Sequence, residues 1–141
     1  MATPLSKAYL LTKVLTASRV EVIVYLFEGA IGYLHRAREA MIQERHGDAA
    51  QAIDRAVHIL IELSGGLNYT DGGALALRLD AIYNYLIETL TMASARRDGD
   101  ALEACSGIMV ILHDAWRQAA EIDARADQEA RRERPQLRVS A

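Results

Sequence analysis

Only two prolines occur in this chain, Pro4 and Pro135, and everything between them is proline-free. Proline removes a backbone donor and clashes with the preceding helical turn, so a chain that avoids it over such a length can be helical throughout. Apolar residues recur there at helical spacing, and the periodic stretches are interrupted at three short places rich in Gly, Asp, Ser and Asn. The pattern predicts an all-α protein.

Each interruption carries start or stop chemistry. Ser18-Arg19-Val20-Glu21 has capping-box spacing: the serine oxygen can accept a first-turn amide proton while the glutamate reaches back. Gly47 offers a helix stop, because glycine tolerates the left-handed conformation found just past helix ends. Asp48 with Gln51 restarts the next helix, and Ser64-Gly65-Gly66 ends it. The link through Asn68, Asp71, Gly72 and Gly73 leads into a third helix; Gly99 breaks that one, and Asp100 with Glu103 opens the fourth. The predicted helices cover 19–45, 49–65, 73–97 and 100–128. Short links between long amphipathic helices place neighbours antiparallel, as an up-down four-helix bundle over 18–128. Residues 1–17, weakly periodic at Leu5, Tyr9, Leu10 and Val14, form an N-terminal arm or short helix. Residues 129–141 form a charged tail, into which helix four is expected to extend and fray before Pro135.

The periods also assign core faces. Helix one offers Val20, Ile23, Phe27, Ile31 and Leu34, and helix two offers Ile53, Val57, Leu60 and Ile61, with Ala52 and Ala56 allowing close approach. Helix three offers Leu75, Leu79, Ile82, Leu86 and Leu90. Helix four offers Leu102, Cys105, Met109, Leu112, Trp116 and Ala119, and its stripe continues to Ile122.

Helix one is apolar over more of its circumference than a core needs. Val22, Leu26, Gly29 and Tyr33 flank the main stripe, and the apolar arc reaches roughly 220°, against the ~100° or more usual for a surface helix. Ile59 and Leu63 lie off the main stripe of helix two in the same way. A contiguous apolar surface marks an interaction site more often than idle exposure. Val22, Leu26, Gly29, Tyr33, Ile59 and Leu63 are therefore the candidate partner-binding residues; the competing reading for each is core packing.

Other functions find little footing. A net charge of −3 opposes a protein built to grip nucleic acid, which needs a clustered cationic face. No run approaches the ~20 apolar residues of a membrane span, and no secretory signal pattern opens the chain, so a cytosolic location is expected. Cys105 is alone and falls on an apolar face, where a reduced, inert thiol is expected. A carboxylate-bridged metal pair in a bundle needs Glu-x-x-His motifs, and none is present. The Gly-Gly pairs lack the Lys-Ser/Thr ending of a phosphate loop. The four histidines are scattered, and no nucleophile–base set can be assembled with specificity; the reading is non-enzymatic, with no cofactor and no metal. His58, on helix two and followed by Ser64-Gly65-Gly66, admits a histidine phosphotransfer module as an alternative. The bulky and then acidic Ile59-Leu60-Ile61-Glu62 opposes it, since a nearby acid repels a phosphate. A generic helical adaptor or oligomerisation unit is the other alternative.

Four stretches, in order, resemble the flagellin-specific export chaperone family FliS. They are Tyr9 with Val14 and Thr16-Ala17-Ser18; Leu26-Phe27-Glu28-Gly29-Ala30-Ile31; Gly66-Leu67-Asn68 to Gly72-Gly73 with Leu79 and Ile82-Tyr83-Asn84-Tyr85-Leu86; and Leu112 with Trp116. Arg19, Phe27 and Asn84 stand where the family commonly has proline, tyrosine and aspartate. The resemblance implies a chaperone that binds the C-terminal segment of flagellin, disordered before assembly, prevents its premature polymerisation and helps deliver it to the flagellar export apparatus. It also implies that the N-terminal arm, here Tyr9 and Val14, covers part of the binding surface and moves aside for the client. Leu67, Asn68 and Tyr85 join the candidate partner-binding set from the resembling stretch, with helix capping as the competing role. A surface shaped for a helix can also accept a second copy of the chain, so a homodimer is a further possible partner.

Overall fold

The computed structural model describes residues 19–133. Four α-helices make up the described chain: α1 (Arg19–Ile42), α2 (His46–Gly65), α3 (Tyr69–Arg96) and α4 (Gly99–Glu133). The described residues fall into two compact units, 25–113 and a second made of 19–24 with 114–133.

Within residues 25–113 the side chains record an antiparallel bundle. Arg38 of α1 pairs with Glu103 of α4, and one stretch earlier on α1 Glu28 lies 3.2 Å from His113 Nε2, further along α4. On the other side of α1, Gly29 faces Ile59 and Tyr33 faces Arg55, so α2 also runs opposite to α1. Phe27 and Tyr83 join α1 to α3 with ring centroids 6.2 Å apart and planes tilted by 50°. That geometry contributes about 0.5–1.5 kcal/mol beyond the area the rings bury. The centre of the unit is apolar: Phe27, Leu34, Ile53, Leu60, Tyr83, Leu86, Leu90, Leu102 and Met109 are fully buried. α2 and α3 pack closely against each other. Buried alanines on both (Ala49, Ala52 and Ala56; Ala76 and Ala93) let the backbones approach.

α2 ends at Gly65 with Gly66 as its cap, as expected, but two other helix ends use chemistry other than the glycines. α1 closes on Glu44, whose φ of 58° is left-handed, with the Arg45 amide donating to the Ala40 carbonyl at 2.8 Å. α3 closes the same way on Arg97 (φ 55°), with Asp98 N–H bonded to Ala93 O at 2.9 Å. These five-residue-back bonds satisfy carbonyls that the helix leaves orphaned. Gly47 and Gly99, expected as stops, lie inside the first turns of α2 and α4. Asp98, not Asp100, caps α4 by accepting from the Ala101 amide at 3.1 Å. Asn68 caps α3, and Gly73 (φ 48°, ψ −125°) interrupts the helical geometry soon after, which accounts for a start predicted near residue 73. Ser18, the expected cap of α1, lies outside the described residues.

Three core expectations are corrected. Ile61 is exposed while Leu63 is buried, because the inward stripe of α2 runs Ala49, Ala52–Ile53, Ala56, Leu60, Leu63. Ile61 follows Leu60 by one residue and is rotated off that stripe. Leu75 is 62% exposed, since the inward stripe of α3 after the kink runs Ala76, Tyr83, Leu86, Leu90, Ala93. Ile122 is exposed as well, on the part of α4 that carries no fully buried residue. There, intrahelical pairs such as Arg117 with Asp114 and Glu121 line the helix instead. α4 continues to Glu133, through the first residues of the expected tail.

Candidate partner-binding face

Between α1 and α2 the bundle leaves apolar surface incompletely covered. Leu26, Tyr33 and Ile59 are half-buried, and Gly29 is exposed between them. A methyl group added at Gly29 would stand 3.7 Å from Ile59 Cδ1, an ordinary contact, so glycine here leaves a shallow notch that the fold itself does not require. Four residues further along α1 is Tyr33, and four residues back along α2 is Arg55, as antiparallel register dictates. The Arg36 and Arg55 guanidiniums stand 5.5 and 5.9 Å from the centroid of the Tyr33 ring, a cation–π arrangement. From Tyr33 a cleft of about 660 Å³ opens toward the α1–α2 turn, lined by both arginines, Glu39 and Arg45 among others.

The other candidates disperse. Leu63 is 6% exposed and belongs to the core, so its assignment to the surface is corrected. Asn68 is engaged in capping: its Oδ1 accepts from the Asp71 amide at 3.1 Å and its Nδ2 donates to Asp71 Oδ2 at 3.0 Å. Leu67 is half-buried beside it, in the link between α2 and α3. Ser64 Oγ donates to Asp80 at 2.8 Å across the same link. The Tyr69 phenol is held above its ordinary pKa, first by lost hydration and then by the charge of Asp80 and a hydrogen bond to it. Tyr85 is 56% exposed, whereas Tyr83 two residues earlier is buried against Phe27. Val22, half-buried, belongs to the unit of residues 19–24 and 114–133. Tyr9 and Val14 lie outside the described residues.

Sequence reasoning missed part of the surface. Ile42 (73% exposed) and Val110 flank a second cleft of about 570 Å³ between α1 and α4, floored by Leu34 and Leu102. Leu77 and Met92, unassigned in the sequence, join the candidate Tyr85 in leaving α3 with exposed apolar side chains at roughly two-turn intervals. Arg36 and Arg55 gave no signal singly; only the register between α1 and α2 brings them to one ring.

Chemistry is sparse. Among the described residues no group of three or more His, Cys, Asp or Glu side chains could hold a metal ion. The His58 ring lies on the surface and its Nδ1 donates to the Asp54 carbonyl of its own helix at 2.7 Å. Burial pushes the Cys105 thiol pKa up, which keeps it protonated and unreactive. No helix among the described residues is long and apolar enough to cross a membrane.

These features define a helical-bundle protein with a partly open apolar strip and a charged cleft between α1 and α2. The chain belongs to the FliS family: it matches the family described as "Flagellar protein FliS" over residues 1–123. It is 34% identical to the flagellar secretion chaperone FliS of Salmonella typhimurium over 106 residues, covering 74% of this chain and 78% of that one. The FliS chaperone of Bacillus subtilis is 26% identical over 81% of this chain and 84% of its own. A crystal structure of a bacterial flagellar chaperone superposes with a TM-score of 0.69 at 18% identity, over 84% of this chain and 98% of that one, and shares the fold.

Proposed function

We propose that this chain is a cytosolic, non-enzymatic export chaperone that holds the C-terminal segment of flagellin, prevents its premature polymerisation and delivers it to the flagellar export apparatus. Membership of FliS supports the general role, and relatives are named flagellar secretion chaperones. The observation that carries the binding mode is the half-open strip of Leu26, Gly29, Tyr33 and Ile59 between α1 and α2. A client that is disordered when free must offset its ordering entropy on binding, and a long apolar surface does so. Each aliphatic anchor contributes about 1.5–3 kcal/mol at most, so a few spread over the face give an affinity that release at the export gate can reverse. The spacing of Leu26, Gly29 and Tyr33 along one helix suits a client that docks as a helix in the α1–α2 groove.

The test is calorimetric titration of a flagellin C-terminal peptide into the full chain, alongside a flagellin polymerisation assay. Saturable binding with a negative heat-capacity change, together with delayed filament growth, is the expected result. Absence of binding at peptide concentrations well above those of the cell overturns the reading.

A further inference from the structure

The cleft beside Tyr33 carries two positive charges that the fold leaves without counter-ions. Among the described residues, no carboxylate stands within ion-pairing distance of Arg36 or Arg55; each guanidinium instead rests over the Tyr33 ring, one from α1 and one from α2. Two carboxylates also line the cleft, neither within ion-pairing distance of those arginines: Asp48 is paired with Arg45 at 3.1 Å, and Glu39, still charged, accepts a hydrogen bond from the Gln43 amide at 3.1 Å. Two like charges gathered at one ring repel each other, and because both side chains are solvent-exposed that repulsion is modest and screened by salt. A carboxylate entering between them turns the repulsion into two charge-assisted contacts, and the planar guanidinium fork favours that group geometrically.

We infer that this cleft is the subsite for an acidic side chain of the bound client, with an aliphatic residue one helical turn away seated in the notch at Gly29 and Ile59. The inference rests on the client-binding reading above and adds to it the chemistry of one contact. The geometry of α1 sets the spacing. Tyr33 follows Gly29 by four residues, so a client helix lying along α1 presents an acid and an aliphatic residue three or four positions apart to reach both points. Apolar anchors then supply most of the affinity, while the acid fixes the register of the client along the groove.

The experiment titrates the flagellin C-terminal peptide into the native chain and into Arg36→Gln/Arg55→Gln, each at low and high salt, with circular dichroism confirming the fold. A second series uses peptides in which each Asp or Glu is changed singly to Asn or Gln. The expected result is about tenfold weaker binding by the double variant, a smaller salt dependence, and one acidic position in the peptide whose neutralisation weakens binding to the native chain but not to the variant. Equal affinity and equal salt dependence for the two proteins overturn the subsite and leave the chaperone reading standing. Failure of the native chain to bind the peptide removes both. Should the double variant unfold, Arg36→Lys/Arg55→Lys keeps the charges and loses the forks. It is expected to bind with an intermediate loss, and native-like affinity with no acidic position singled out counts against the inference.

Discussion

The two sides of α1 between Tyr25 and Ile42 solve different problems with similar residues. One side, Phe27, Ala30, Leu34 and Ala37, is fully buried and holds the bundle together. The shoulder beside it, Leu26, Gly29 and Tyr33, is as apolar in composition yet stays partly open, backed on α2 by a half-buried Ile59 rather than by a closed layer. The first side has its partners within the chain, and the second is left to find one. Hydrophobicity alone therefore does not tell folding surface from binding surface; what separates them is whether a neighbouring helix supplies enough side chain to cover them.

Substitutions on the two sides should consequently separate stability from binding. The largest effect is expected from Phe27→Ala, which removes a fully buried ring packed on Tyr83 and costs about 3–5 kcal/mol in denaturant unfolding. Client affinity, measured where the variant is still folded, should change little. Asn68→Ala removes the cap of α3 and is expected to cost about 1 kcal/mol without altering client affinity. Asn68→Ser, which keeps an acceptor for the Asp71 amide without placing a second carboxylate beside Asp71 Oδ2, should recover most of the stability. A binding defect in a stable Asn68 variant would move this residue from capping to recognition. The smallest change comes from a pair of glycines. Gly29→Ala and Gly32→Ala should each stabilise α1 by up to about 0.8–1 kcal/mol through helix propensity. Only Gly29→Ala fills the notch next to Ile59, so only it should weaken the client, by a few-fold; nothing stands within 4 Å of a Cβ at Gly32. Equal binding by the two alanine variants would close the notch as a contact point.

How much of this was readable from the chain differs by level. The helices were legible because period and punctuation act over many residues: all four occur, and α1 and α2 begin and end within a few residues of expectation. Their ends were less legible, since Glu44 and Arg97 adopt left-handed backbone where glycines a few residues on looked better suited. Chain geometry at the turn outweighs the roughly 1–2 kcal/mol cost of that conformation. Face assignment failed where one residue of rotation decides it, as with Ile61 and Leu63: periodicity shows which residues share a side, not which side a neighbour covers. The cationic cleft was out of reach entirely. Arg36 and Arg55 meet at Tyr33 only through the α1–α2 register, which the sequence of either helix does not contain.

The central claim, that the open shoulder of α1 is used for recognition and not for folding, is tested most directly by Leu26→Asp/Tyr33→Asp titrated with the flagellin C-terminal peptide. The account predicts native helical content and a cooperative melt, with client affinity reduced at least about tenfold. A double variant that unfolds would place both residues in the core, and one that folds and binds like the native chain would contradict the claim.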